Sequence, residues 1–169
     1  MSKVLNKQKI DFLIVTGDLA ENAKDREKVL EELRHVEVAE KMYLVLGNYE
    51  REERIGLKKR LLDITNEEYH QLDTNKLKVL INEYDIYRDV SSGKEMLFCG
   101  FDNSIYGNEQ YPEELKDIHA AMKIVFAHSP NIKKYIEAKE MPYDMLLVGH
   151  THGNQMNIPI LNKINTGLC

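Results

Sequence analysis

Two histidines near the end of the chain, His150 and His152, have the residue type and spacing of metal ligands. They directly follow the apolar run Met145–Val148, within the sequence Gly-His-Thr-His-Gly. The two glycines allow a tight backbone turn, and neutral imidazole is a suitable ligand for zinc, iron, manganese or nickel. Taken alone, the pair could equally be solvated loop residues. The metal-site interpretation therefore depends on whether other ligand-type residues also follow strands.

Three more ligand-type side chains stand at the ends of strand-like apolar runs: Asp18, Asn48 and His128. Ligand sites of open α/β sheets lie beyond the carboxyl ends of the strands, so these side chains are expected to converge with the two histidines. Each residue has an ordinary alternative: Asp18 as a helix cap, Asn48 as a turn residue and His128 as a loop histidine. Their coincidence at four strand ends favours a shared metal site.

The segments between these residues predict an α/β fold. A helical apolar stripe begins after Asn22 and continues to about Val36, between the runs that precede Asp18 and Asn48. These two runs are therefore expected to form parallel strands with a right-handed crossover. Further along the chain, the pattern predicts a helix within 51–75, strands over 76–88 and 95–100 joined as a hairpin, a loop over 101–111, a short helix over 112–116, a strand over 122–127, a helix over 131–140 and the strand that precedes His150.

Length and composition suit one domain over residues 1–169, since a chain of 169 residues with 43% hydrophobic residues can build one substantial core. The net charge of −5, with basic residues scattered among acidic ones, gives no indication of nucleic-acid binding. The two cysteines, Cys99 and Cys169, do not form a disulfide framework and suit free thiols in a reducing compartment. The apolar runs are too short for a signal segment or a membrane span, so we expect a cytoplasmic protein.

The ordered motifs resemble those of the calcineurin-like metallophosphoesterase superfamily. They are Gly17-Asp18, Gly47-Asn48-Tyr49-Glu50, His128 and Gly149-His150-Thr151-His152; the segments 126–131, 149–155 and 158–159 are also similar to a bacterial phosphodiesterase-like branch. The resemblance implies a sandwich of two mixed sheets flanked by helices (α-β-β-α), with two divalent metal ions (Mn, Fe or Zn) at one edge. It also implies that Asp18 bridges both ions, that Asn48, His128 and His150 complete one site, and that His152 belongs to the other.

The implied reaction is hydrolysis of a small phosphomonoester or phosphodiester. Two cations can hold a hydroxide for in-line attack on phosphorus and neutralise charge on the phosphoryl oxygens. The resemblance gives catalytic roles to Asn48, Tyr49 and His150. Because Asn48 contributes a neutral oxygen, the ion that it binds would keep more Lewis acidity than with another carboxylate.

Two departures from the family pattern weaken the expected activity. The Asp-x-His motif that the family carries after its first strand has no counterpart before Asp18, so we expect one metal site to be incomplete and the first strand to be missing. Asp117 and His119 have the right spacing, but they precede a strand and suit a solvated helix end. Tyr49 stands where the family usually has histidine; a tyrosine hydroxyl with a pKa of about 10 donates a hydrogen bond but is a poor proton shuttle.

The sequence leaves three functions open. The leading hypothesis is a metal-dependent phosphoesterase, weakened by these departures. The alternative is a non-catalytic module that binds one metal through Asp18, Asn48, His128 and His150. A third hypothesis, an α/β binding domain with coincidental histidines, requires these side chains to lie far apart. A missing first strand would also leave an exposed strand edge that favours a homodimer.

Overall fold

Two β-sheets face each other in the computed structural model, which describes residues 1–55, 58–103 and 105–151. The described elements, in chain order, are α1 (Ser2–Leu5), β1 (Phe12–Val15), α2 (Ala23–Arg34), β2 (Lys41–Leu44), α3 (Asn48–Arg51), β3 (Glu52–Ile55), β4 (Lys58–Leu61), α4 (Asn66–His70), β5 (Leu77–Val79), β6 (Glu83–Arg88), β7 (Glu95–Phe101), a 3-10 helix (Glu113–Asp117), β8 (Met122–Ala127), α5 (Ile132–Ala138) and β9 (Met145–Val148).

The first sheet has the order β1-β2-β5, and its strands are parallel. Helix α2 connects β1 to β2, and the side chain of its N-cap residue Asn22 accepts a hydrogen bond of 3.0 Å from the Asp25 backbone N–H. This arrangement confirms the predicted parallel pairing of the two strands through a helix. It also places the carboxyl ends of β1 and β2, which precede Asp18 and Asn48, at the same edge of the sheet.

The second sheet has the order β6-β7-β8-β9. Strands β6 and β7 form the predicted antiparallel hairpin, while β7, β8 and β9 are parallel to one another. The predicted α/β class is confirmed. Of the two facing sheets, the described part of the first is parallel and that of the second is mixed. The carboxyl ends of β8 and β9 precede His128 and His150.

Aromatic side chains fill the space between the sheets, and helices cover the outer faces. Tyr43 of the first sheet stacks on Phe98 of the second, with 4.5 Å between their ring centroids. On the outside of the first sheet, Leu33 of α2 packs against strands β2 and β5. Outside the second sheet, Ile132 and Ile136 of α5 pack against β7 and β8. The layers therefore follow the predicted α-β-β-α order.

The helix prediction within 51–75 is wrong for its first part. Residues 52–61 contain the antiparallel pair β3 and β4, and only α4 is helical after it. The apparent apolar stripe was misleading, since Leu61 is 69% exposed. Backbone pairing decides this segment instead: β3 and β4 form an antiparallel ladder in which Glu52 lies opposite Leu61 and Ile55 lies opposite Lys58.

The single strand predicted over 76–88 is two strands in different sheets. Asn82 lies between them with a positive φ of 59°, a left-handed conformation that Asn tolerates better than most residues and that interrupts a strand. Strand β5 therefore completes the first sheet, and β6 begins the second.

Two sequence-based expectations concern the membrane and the thiols. None of the described helices is long and apolar enough to cross a membrane. Cys99 is a free, buried cysteine, and burial raises the pKa of its thiol. Cys169 lies outside the described residues.

Candidate metal centre

Four short loops carry the predicted ligands to one edge of the sandwich. Asp18 and Asn48 follow strands of the first sheet, and His128 and His150 follow strands of the second. The Gly149 backbone N–H donates to the His128 carbonyl over 2.9 Å, which joins the two loops of the second sheet. The site therefore spans both sheets, and its geometry depends on how the sheets pack.

The four side chains meet at Nε2 of His128. This nitrogen lies 3.1 Å from Asn48 Oδ1, 3.2 Å from Asp18 Oδ2 and 2.9 Å from His150 Nδ1. Ligand atoms of Asp18, His128 and His150 all lie within 4.8 Å of one another. Four of the five predicted ligands therefore come together, which excludes the hypothesis of coincidental, separated histidines. The fifth, His152, lies outside the described residues.

His128 is held by its other ring nitrogen. The Nδ1–H group donates to the Thr16 carbonyl over 2.8 Å, so Nε2 is the atom that faces the other ligands. Burial acts to lower the pKa of His128, but the hydrogen bonds to Asp18 and to the Thr16 carbonyl outweigh it and raise the pKa. The surroundings of His128 therefore favour the positively charged form of its ring.

The two carboxylate oxygens of Asp18 have different neighbours. Oδ1 accepts a hydrogen bond of 2.9 Å from the Tyr49 backbone N–H, and Oδ2 faces His128. Burial acts to raise the pKa of Asp18, but these contacts outweigh it, so the pKa is lowered and the carboxylate is anionic. Asp18 and His150 both have positive φ, 56° and 66°. Left-handed conformations at residues other than glycine cost roughly 1–3 kcal/mol each and concentrate at functional sites.

The donor set fits a divalent cation such as zinc, manganese or iron. Two imidazole nitrogens, one carboxylate oxygen and one amide oxygen are available. Neighbouring ligands of an ion at about 2.1 Å are separated by roughly 3.0–3.4 Å in octahedral or tetrahedral geometry. The 2.9–3.2 Å separations around His128 Nε2 are close to that range.

Tyr49, the predicted catalytic residue that replaces the family histidine, has its hydroxyl 3.4 Å from Glu21 Oε1. Burial and the nearby Glu21 carboxylate raise the pKa of the Tyr49 hydroxyl. The group is therefore protonated at neutral pH and available only as a hydrogen-bond donor or acceptor. Its backbone N–H, through Asp18, also fixes the metal-facing carboxylate.

Glu50 is a functional residue to which the sequence reasoning gave no role. Its side chain is fully buried and accepts hydrogen bonds from the backbone N–H groups of Asp18 (2.8 Å), Leu19 (2.9 Å) and Gly47 (2.8 Å). One carboxylate thus joins the loop that follows β1 to the loop that follows β2. A signal existed: an acidic residue three positions after Gly47, at the start of α3, is the position that bonds back to a helix N-terminus.

Asp117 and His119 do not belong to this centre. They precede β8, whereas His128 follows it. Six strand residues at about 3.3 Å each separate the two ends by roughly 20 Å. Both side chains are exposed, as the expected solvated helix end requires.

The site opens into a cleft of about 410 Å³ that can admit a small substrate group. Asp18, His128 and His150 line it together with the glycines of their loops. Val148 and Thr151 complete the lining, so three of the four proposed ligands face the cleft.

Comparisons with known proteins agree with this geometry. A family model described as calcineurin-like phosphoesterase matches residues 1–154. The metallophosphoesterase YkoQ of Bacillus subtilis (strain 168) is 27% identical over 158 residues, which are 90% of this chain and 53% of YkoQ. The phosphodiesterase YaeI of Escherichia coli (strain K12) is 37% identical over 41 residues, which are 24% of this chain and 14% of YaeI. No solved structure matches the chain significantly.

The chain spans only about half the length of YkoQ, 53%, so the match places the chain in a family without transferring the whole relative's activity. Within this chain, the family match extends over both sheets and all four ligand-bearing loops. The chain belongs to the calcineurin-like phosphoesterase family.

Proposed function

We propose that the chain hydrolyses a phosphomonoester or phosphodiester of a small substrate at a metal centre built on Asp18, Asn48, His128 and His150. One observation carries the proposal: three side chains from three other loops lie 2.9–3.2 Å from His128 Nε2. The family of metal-dependent phosphoesterases to which the chain belongs supports the reaction type.

The roles proposed for the ligands are those that the resemblance to the family implies. Asp18 would bridge two divalent cations (Mn, Fe or Zn), Asn48, His128 and His150 would complete one site, and His152 would belong to the second. When bound, the cations would supply an activated water and neutralise charge on the phosphoryl oxygens. Asn48 adds an oxygen without charge, and Tyr49 offers a protonated hydroxyl that can donate a hydrogen bond to a phosphoryl or leaving-group oxygen.

The experiment uses the purified chain with Mn²⁺, Fe²⁺ or Zn²⁺ and two generic substrates, bis(4-nitrophenyl) phosphate and 4-nitrophenyl phosphate. Hydrolysis is expected with metal, and Asp18→Asn and His150→Ala are expected to abolish it. His119→Ala is the matched control, since this histidine is exposed and precedes β8. A metal-loaded wild-type chain that hydrolyses neither substrate refutes the proposal for this chain.

One observation also favours the alternative, a non-catalytic module that binds one metal. The described side chains supply the ligands of one compact centre, within 4.8 Å for Asp18, His128 and His150. Metal analysis of the purified chain separates the two functions. One ion per chain without turnover supports the module, while two ions with turnover support the enzyme.

We further propose a single domain that acts in the cytoplasm as a homodimer. Support for the dimer is β1, an edge strand of the first described sheet whose four apolar residues are only half-buried. Pairing of such an edge with another strand would cover its backbone groups. Light scattering that finds a monomer across the accessible concentrations refutes the dimer. The free, buried thiol of Cys99 is compatible with a reducing compartment.

A further inference from the structure

Glu52 is a buried carboxylate with no role in the reaction proposed above. It is the first residue of β3 and immediately follows α3, the helix that begins with Asn48. Its side chain is only 3% exposed. A buried carboxylate is unfavourable unless it is paired and hydrogen-bonded, so its surroundings indicate what it does.

Three groups from three segments surround the Glu52 carboxylate. The Asn48 amide nitrogen Nδ2 lies 3.5 Å from Oε1, and Lys59 Nζ of β4 lies 2.6 Å from the same oxygen. The hydroxyl of Tyr106 donates to Oε2. Burial acts to raise the pKa of Glu52, but the hydrogen bonds of Lys59 and Tyr106 outweigh it and lower the pKa. Because Lys59 and the Tyr106 hydroxyl both direct donors at it, the Glu52 carboxylate acts as a hydrogen-bond acceptor.

This acceptor lies on one side of a carboxamide whose two ends are chemically different. Only the oxygen of Asn48 can ligate a cation; the NH₂ end offers donors and no free lone pair. Oδ1 lies 3.1 Å from His128 Nε2, and Nδ2 points towards Glu52. Rotation of the amide by 180° would bring the Oδ1 oxygen against the carboxylate and the NH₂ group against the metal centre.

We propose that Glu52 is a positioning residue for the metal centre: it accepts a hydrogen bond from Asn48 Nδ2 and thereby keeps Asn48 Oδ1 directed at the shared ligand point. Lys59 and Tyr106 hold Glu52 in place. The β3–β4 pair and the segment after β7 therefore support Asn48, although Asn48 belongs to neither of them. This inference rests on the proposed metal centre. Residues that orient metal ligands typically contribute about 10-fold to 100-fold in metal affinity.

The test measures Mn²⁺ affinity by isothermal titration calorimetry, independently of activity. Glu52→Ala is expected to weaken binding by about 10-fold to 100-fold. Glu53→Ala is the matched control: Glu53 is the next residue of β3 and also pairs with a basic residue of β4, Arg60, but among the described residues it forms no hydrogen bond with Asn48. The control is expected to bind Mn²⁺ like the wild type.

A double-mutant cycle separates positioning from a general structural role. In the Asn48→Ala background, Glu52→Ala is expected to have almost no further effect, because the group on which Glu52 acts is gone. Equal losses in the two backgrounds, or wild-type affinity of Glu52→Ala, refute the inference. Circular dichroism checks that each variant is folded.

Glu52→Gln provides a second cycle that does not depend on folding of the alanine variant. Glutamine keeps the size and one acceptor oxygen, and neutral hydrogen bonds are about half as strong as charge-assisted ones, so a loss of roughly 3-fold to 10-fold is expected. That loss must also disappear when residue 48 is alanine. A wild-type chain that binds no Mn²⁺ refutes the proposed centre together with this inference, whereas normal wild-type binding with unaffected variants refutes only the role of Glu52.

Discussion

Replacing Glu50 with glutamine tests whether one buried carboxylate holds the metal centre together. The wild-type side chain accepts three backbone N–H groups, two at Oε2 from Asp18 and Gly47 and one at Oε1 from Leu19. Glutamine has the same shape but only one acceptor oxygen. If that oxygen takes the Oε2 position, the NH₂ group faces the Leu19 N–H, and two donors oppose each other.

The expected loss of stability follows from these three bonds. A hydrogen bond to a charged group contributes about 1.5–3 kcal/mol, and the bond from Leu19 is lost entirely. The other two bonds remain but become neutral, at about half their strength. Glutamine no longer buries a charge, which offsets part of the loss. We therefore expect Glu50→Gln to lower the free energy of unfolding by about 3 kcal/mol.

Urea unfolding followed by circular dichroism measures this change, and Mn²⁺ titration of the folded variant measures the effect on the centre. Weaker Mn²⁺ binding is expected, since the two bonds that hold the Asp18 and Gly47 backbone N–H groups become weaker. Glu53→Gln is the control: its ion pair with Arg60 is near the surface, where such pairs contribute about 0–1 kcal/mol. A Glu50→Gln variant within about 0.5 kcal/mol of the wild type would refute the anchoring role of Glu50, because such a change is typical of neutral surface positions.

Three further substitutions test other parts of the fold and site. Gly47→Ala would place a Cβ atom 2.4 Å from Asp18 Oδ1, so we expect a loss of about 1–3 kcal/mol in urea unfolding together with weaker Mn²⁺ binding; an unchanged variant would contradict the close packing. Burial acts to raise the pKa of Asp85, but the hydrogen bonds from Lys41, Lys78 and Tyr43 outweigh it and lower the pKa. The lowered pKa stabilises the folded protein above the unfolded pKa of about 3.9, and this stability is lost as pH falls through the folded pKa. Asp85→Asn should therefore be less stable than the wild type at pH 7 and lose less stability on acidification below about pH 4, and parallel pH profiles of the unfolding free energy would refute this. Tyr49→Phe removes at most one hydrogen bond to a charged phosphoryl or leaving-group oxygen, about 1.5–3 kcal/mol, so kcat should fall by no more than about 100-fold, and a much larger fall would show a proton-transfer role.

The positions of the candidate metal ligands could be predicted because the signal is local. A buried strand produces an apolar run, and the polar residue just after it must lie at the strand's carboxyl end. Parallel pairing, indicated by the helix between β1 and β2, then puts Asp18 and Asn48 at one edge. The same logic placed His128 and His150 correctly. No knowledge of how the two sheets pack was needed for this step.

The remaining features depend on partners far away in the sequence. The left-handed Asn82 that separates β5 from β6 is stabilised by contacts with the segment after β7, since its side-chain oxygen accepts the Asp102 and Gln110 backbone N–H groups. The charged segments 52–55 and 58–61 also form strands only because they pair with each other. The helical spacing of the leucines in this part of the sequence predicted a helix instead. Glu52 illustrates the limit best, because one of its partners, Tyr106, lies 54 residues away.

The centre takes its precision from the packing between the sheets. Two of its ligands follow strands of the first sheet and two follow strands of the second. The distance between these pairs is set where Tyr43 stacks on Phe98 and where Gly100 leaves room for Val45 and Leu80, since a Cβ atom on this glycine would lie 2.7 Å or less from either side chain. Interiors packed this closely resist small displacements. The buried carboxylates of Glu50 and Glu52 then fix the loops of the first sheet relative to this frame, so the ligand geometry is prepared before any cation binds.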